Sequence, residues 1–202
     1  MKILAQIPKT LFELSGVEKP KIKLENSIIV VIDAQREYLD GRLPLPEISK
    51  SIEVIKTLLS SARKENVPII HVFHKGEPES LFSYESVAFQ PIPGLEPQPA
   101  EKIVLKELPD AFARTSLNKD LELYGKEKTL ILVGFMTHMC VLNTAVTALD
   151  LGYQTVVIKD AVATRNLRGA DGETIPAKQV NQTILATLQD RMAWVIPSKE
   201  LL

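Results

Sequence analysis

The chain has a single cysteine, Cys140, so no disulfide can close within it, and a small disulfide-stapled domain is excluded. It also lacks a charge imbalance. Lys and Arg total 24 against 25 for Asp and Glu, with no block of either sign. The clustered basic footprint of a nucleic-acid partner is therefore missing. Long hydrophobic runs are missing as well. The longest, such as TLILVGFM, are strand-sized, far short of the roughly 20 residues that span a bilayer, so no membrane partner is expected. The N-terminal stretch MKILAQIPKTLFELSG is interrupted by Pro8, Lys9 and Glu13 and has no signal-peptide core. With a lone reduced thiol, this leads to the expectation of a cytoplasmic protein. No His-x-Glu, HExxH or paired-cysteine spacing occurs, so no metal is expected. No GxGxxG follows the first strand, so no dinucleotide cofactor is expected either.

What is present is a regular alternation. The 202 residues suit one domain, with residues 1–26 as an N-terminal extension. SIIVVI at Ser27–Ile32 is a β-branched run that reads as a strand buried on both faces. Apolar residues at helical spacing follow over Ile48–Glu65, with Asn66 at the helix C-terminus. Further strands are expected at Pro68–Phe73, Lys102–Lys106, Thr129–Val133, Gln154–Ile158 and Met192–Ile196. Helices are expected at Leu117–Tyr124, Met139–Leu151 and Ile175–Asp190. Between Lys75 and Pro99 lies a long excursion holding five of the thirteen prolines, the kind of loop that serves as a lid or rim. Such alternation argues for an α/β fold with a parallel sheet and helices on both faces, whose ligands bind beyond the carboxyl ends of the strands.

Three chemically distinct residues fall at those ends. Asp33 ends the first strand, Lys106 ends the third, and Cys140 lies just beyond the fourth, where a helix opens. Singly, each has an ordinary explanation: a helix cap, a solvated ammonium, a small buried hydrophobe. Together they make a nucleophile and its activators. A helix N-terminus and a nearby ammonium favour the thiolate, while Asp33 can accept the thiol proton and return it to a leaving amine. Of the three histidines, His71 lies inside a strand and reads as packed. His74 follows that strand near the presumed site, and His138 shares a turn with Cys140. Arg165, Asn166 and Arg168 read as a solvated loop, with anion binding as the alternative.

The segments IIVVIDAQREY, VLKELPDAFARTSL and LILVGFMTHMCVLNTAVTALDLGYQTVVIKDAVAT resemble, in this order, the isochorismatase-like cysteine hydrolase superfamily, and the resemblance spans residues 27 to 197. It implies a three-layer α/β/α fold around a six-stranded parallel sheet. It also implies a catalytic triad with Asp33 as general acid/base, Lys106 as electrostatic partner and Cys140 as nucleophile. A cis peptide between Phe135 and Met136 is implied too, with the amides of Met136 and Cys140 forming an oxyanion hole. Gln35, Tyr38, His74, Phe112 and His138 become substrate-binding candidates, and a homo-oligomer (dimer or tetramer) is implied. The segment HVFHKGEPES lacks the Asp-x-His-Pro zinc pattern of nicotinamidases, and Cys140 argues against the vinyl-ether-cleaving members. What remains is hydrolysis of a small-molecule amide, carbamoyl or ureido C–N bond through a thioester. The alternative is a catalytically idle or redox-sensing protein that keeps the fold.

Overall fold

The structure, a computed structural model, describes residues 7–202. The first six residues of the stretch read as carrying no signal peptide lie outside the described residues. The extension forms a one-turn helix α1 (Leu11–Leu14), capped by Thr10 and Glu13 in a reciprocal capping box. Phe12 of this turn stacks on Trp194 with ring centroids 4.3 Å apart. The extension is thus pinned to the main body by an aromatic pair.

The alternating elements form in chain order: β1 (Ser27–Ile32), α2 (Ile48–Lys64), β2 (Ile69–His74), β3 (Lys102–Lys106), α3 (Leu117–Glu122), β4 (Thr129–Phe135), α4 (Leu142–Asp150), β5 (Thr155–Ala163), a small hairpin of β6 (Leu167–Arg168) and β7 (Thr174–Ile175), α5 (Ala177–Thr187) and β8 (Trp194–Ile196). The six main strands are all parallel, in the order β3-β2-β1-β4-β5-β8. Chain order reverses between β1 and β4, and a crevice opens beyond the strand ends at such a switch point.

β1 and β4 are buried along their whole length, as β-branched runs in the middle of a covered parallel sheet should be. One face packs on α2 through Ile52, Ile55, Leu58, Leu59 and Ala62. The other packs on α3, α4 and α5 through Leu117, Leu121, Ala145, Ala148 and Ile184. At about 1.5–3 kcal/mol for each fully buried aliphatic side chain, these two layers supply most of the drive to fold. Asn66 takes the left-handed conformation after α2, with φ 56°, which is the expected stop.

Most boundaries shift by one to three residues, and three differences from the sequence-based expectation bear on the site. β4 runs two residues further, to Phe135. β5 continues to Ala163 because it bulges: Leu132 pairs with Val157 but Gly134 with Val162. The bulge lets Lys159 and Asp160 sit in a strand, and Asp160 caps Ser198, accepting from its N–H at 2.9 Å and its hydroxyl at 2.6 Å. Finally, α4 starts at Leu142 rather than Met139, because Thr137–Val141 forms a wider π-helical turn. The excursion at residues 75–99 is anchored rather than loose. Phe82, Ile92 and Leu95 are buried, and Phe82 N–H donates to the buried Glu37 carboxylate at 3.2 Å.

Candidate active site

The switch point brings the strand ends of β1 and β4 side by side. Gly134 allows this close approach. Its φ is +110°, and a Cβ there would lie 2.0 Å from the Ile32 carbonyl oxygen. Asp33 follows β1 in a left-handed conformation, φ 46°, tied back by its N–H to Val72 O at 2.8 Å. Across the gap, the peptide Phe135–Met136 is cis. The π-helical turn then places Cys140, with Met139 N–H and Val141 N–H both donating to Met136 O.

Lys106 reaches this gap from β3. Strands lie about 4.8 Å apart, so β3 is about 10 Å from β1 with β2 between them, a span a lysine side chain can cover. Its ammonium lies 2.8 Å from Asp33 Oδ2, donates to Cys140 Sγ at 3.3 Å, and meets His74 Nδ1 at 3.0 Å. The acid, the base and the thiol expected from the sequence therefore converge. All three are enclosed: Asp33 is 0%, Lys106 1% and Cys140 4% exposed. Apart from the ion pair, neither Asp33 carboxylate oxygen has a hydrogen-bond donor among the described residues. A buried carboxylate left this open has lone pairs to spare.

The electrostatics correct one expectation. A thiol at a helix N-terminus beside an ammonium was expected to favour the thiolate. Instead burial, and then the Asp33 charge, push the Cys140 thiol above its ordinary value, and the opposing pull of Lys106 does not overcome them. The π-helical turn runs directly into α4, so Cys140 lies in the opening turn of a continuous helical segment, as expected. Burial disfavours the ammonium of Lys106 too, but the charge of Asp33 and the hydrogen bonds to Asp33 and Cys140 outweigh this and hold its proton more tightly than usual. The resting site is a neutral thiol beside an ion pair. Moving the thiol proton to Asp33 leaves the net charge of the trio unchanged, so no uncompensated charge is created in the low-dielectric interior.

The substrate-binding candidates fare differently. Tyr38 is buried, and its phenol is held protonated by burial and by the Asp33 charge. His74 is neutral, its pKa lowered by burial and by Lys106. His138 is also shifted down, by burial and by Arg165, and its Nδ1 contacts the Thr164 hydroxyl. Phe112 packs in the same cluster as Cys140 and stacks on Tyr153 at 6.0 Å. Gln35 has a different task. Its amide nitrogen donates to the carbonyls of His74 (2.9 Å) and Phe89 (3.0 Å), and its oxygen accepts from His74 N–H (2.8 Å). Both amide protons are committed to backbone, which makes Gln35 a clamp between β2 and the excursion.

Thr144 fits the family pattern in the sequence, but the tie that it makes together with Thr147 is not legible there. Thr144 accepts from Ala111 N–H at 3.1 Å, and Thr147 donates to Asp110 at 2.9 Å, tying the loop after β3 to α4. The only local signal was their helical spacing on α4, three residues apart. Arg165 is exposed, as a solvated loop requires, yet its charge bears on both Tyr38 and His138. Cavities of about 550 and 580 Å³ lie away from the triad, one against Arg36–Arg42 and Ser80–Ala88, the other against Glu47–Ser51 and the start of α5. Among the described residues no group of three or more His, Cys, Asp or Glu side chains is placed to hold a metal ion. No helix among them is long and apolar enough to cross a membrane.

Comparison with known proteins bears on the family and the fold. Residues 27–200 match the isochorismatase domain. The chain is 35% identical over 189 residues to the secreted isochorismatase effector Isc1 of Verticillium dahliae, covering 92% of this chain and 95% of that one. It is 30% identical over 166 residues to a streptothricin hydrolase of Streptomyces noursei, covering 81% of this chain and 60% of the other. The crystal structure of an isochorismatase from Pseudomonas putida KT2440 superposes with a TM-score of 0.93 at 41% identity, over 97% of this chain and all of that one.

Proposed function

From the premise that the chain belongs to the isochorismatase family of hydrolases, we propose that it is a cysteine hydrolase that cleaves a C–N bond of a small amide, carbamoyl or ureido compound. The observation that carries this reading is the open, fully buried Asp33 carboxylate beside Lys106 and Cys140. In the first half-reaction Asp33 takes the Cys140 proton as Sγ attacks the substrate carbonyl carbon. The oxyanion is received by the amides of Met136 and Cys140. Asp33 then returns the proton to the leaving nitrogen, the C–N bond breaks, and a thioester remains on Cys140. In the second half-reaction Asp33 deprotonates a water that attacks the thioester, and the acid leaves as Sγ regains its proton. Lys106 stays an ammonium through both halves and balances the single negative charge, which sits in turn on Asp33 and on the oxyanion. Two relatives bear on the reading: one is named an isochorismatase effector and one a hydrolase of streptothricin, so the family has more than one substrate.

A screen of primary amides, carbamoyl compounds and ureido acids for ammonia release tests the proposal, with Cys140→Ala as control. Turnover that survives in Cys140→Ala at the wild-type rate rejects the nucleophile. A second reading, a fold kept without turnover, draws on the 4% exposure of Cys140. It predicts no ammonia from any compound in the screen and no acyl adduct on Cys140.

A further inference from the structure

We infer that His74 is a positioning residue whose Nδ1 fixes the Lys106 ammonium in the one orientation that serves Asp33 and Cys140 together. The inference rests on the reading of those three residues as a hydrolase triad. It follows first from topology. β2 lies between β3 and β1, and His74 is the register partner of Lys106, so the lysine chain must cross beside His74 to reach Asp33. It follows next from valence. An ammonium has three protons and no lone pair. Here three acceptors surround it: Asp33 Oδ2 at 2.8 Å, Cys140 Sγ at 3.3 Å and His74 Nδ1 at 3.0 Å. With all three in place the Nζ rotor and its position are fully determined. Without His74, one proton has no partner in a buried site, and the ammonium can turn away from sulfur to find one.

His74 is itself held for this task. Gln35 brackets its backbone, accepting from His74 N–H at 2.8 Å and donating to His74 O at 2.9 Å. Its ring rests against Phe82 at 5.0 Å. The charged groups that act on it are Lys106, Asp33 and Glu107. Since Lys106 can only donate, Nδ1 must present a lone pair, and the ring proton must sit on Nε2. Gln35, expected to touch substrate, thus acts one step further back: it holds His74, which holds Lys106.

Three substitutions separate the two ring nitrogens. His74→Asn puts an amide oxygen near the Nδ1 position, His74→Gln puts one near Nε2, and His74→Ala removes both. The readouts are kcat and KM on an amide found in the screen, and the pH profile of Cys140 alkylation by iodoacetamide, which needs no substrate. For Ala and Gln, kcat should fall about 10- to 100-fold with KM nearly unchanged, and the alkylation profile should move to higher pH. Asn should restore most of kcat and return the profile toward wild type. Rescue by Gln but not Asn overturns the inference, because His74 then acts through Nε2 on the substrate. An Asn variant no better than Ala overturns it too. Should the variants fail to fold, the ¹⁵N shifts of the wild-type imidazole decide. An unprotonated Nδ1 that shifts in Lys106→Met supports the assignment, and a protonated Nδ1 overturns it. Failure of the underlying hydrolase reading looks different: Cys140→Ala would then keep wild-type turnover, whatever the His74 variants do to alkylation.

Discussion

His71 and His74 stand three residues apart on β2, so their side chains leave opposite faces of the sheet, and each enters a different cluster of buried charge. On the α2 face, His71 Nε2 lies 2.8 Å from Glu101. The same carboxylate accepts from Arg63 at 2.7 and 3.0 Å and from Gln98 N–H at 2.9 Å. Both of its oxygens are engaged, Oε1 by one donor and Oε2 by three partners, and the cluster ties the end of α2 to β2 and the start of β3. On the other face, Asp33 has one ion-pair contact and no further donor. The residue types are nearly the same, a carboxylate, a cation and a histidine. What differs is spare capacity. A carboxylate engaged on both oxygens is a staple, and one with lone pairs open beside a thiol is placed to act as a reagent.

The contrast breaks most sharply on activity. Cys140→Ala should lower ammonia release by about 10⁴-fold or more while the chain stays folded, and Asp33→Asn should come close to that loss. Circular dichroism run beside the kinetics checks that the fold persists. If Asp33→Asn keeps near-normal turnover, the open carboxylate is not the base. Next in size is Gly134→Ala. The added methyl meets the Ile32 carbonyl at 2.0 Å on a backbone with φ +110°. It should cost at least about 3 kcal/mol in denaturant unfolding, because neither strand can yield inside a buried sheet. A near-neutral result would mean that the β1–β4 junction relaxes and does not define the site.

Glu101→Gln probes the opposite cluster. It leaves Arg63 and His71 without their shared anion and should destabilise by about 3 kcal/mol, with kcat of the folded protein unchanged. A large drop in kcat would show that the two clusters communicate through β2. The smallest expected effect is a pH dependence of stability. Burial lowers the His71 pKa from its ordinary value of 6.5, against the pull of Glu101. As pH falls below 6.5 the unfolded chain binds a proton that the folded ring refuses, so stability declines until the folded ring also titrates. His74 and His138, shifted the same way by burial, add to the decline. Melting temperatures from pH 7 to about 5 should fall, and His71→Gln should flatten part of the slope. An unchanged slope in that variant would assign the pH dependence to the other two rings.

Much of this was legible in the sequence, for identifiable reasons. Runs such as SIIVVI can only be buried parallel strands, and strand ends in such sheets collect function. Asp33, Lys106 and Cys140 therefore stand out by position, and the structure brings them together. The six-stranded parallel sheet and the family are legible in the same segments, while the strand order is not. What stayed hidden depends on backbone detail or on distant partners. Nothing in THMCVL distinguishes a π-helical turn from the first turn of an α-helix, and nothing local shows how deeply burial and Asp33 oppose the pull of Lys106 on the thiol. The β5 bulge needs the register with β4. The commitment of Gln35 to the backbone of His74 and Phe89 spans 39 and 54 residues, and the Arg63–Glu101–His71 staple joins three separate elements. No local pattern encodes such pairings.

The most direct test of the site is to trap the thioester. Wild-type protein mixed with an amide from the active class and quenched in acid within milliseconds should show, by intact-mass spectrometry, an added acyl group. Peptide mapping should place it on Cys140, hydroxylamine should remove it, and Cys140→Ala should not form it. Turnover of the same amide at an undiminished rate in Cys140→Ala, with no acyl adduct on the wild type, would contradict a cysteine nucleophile.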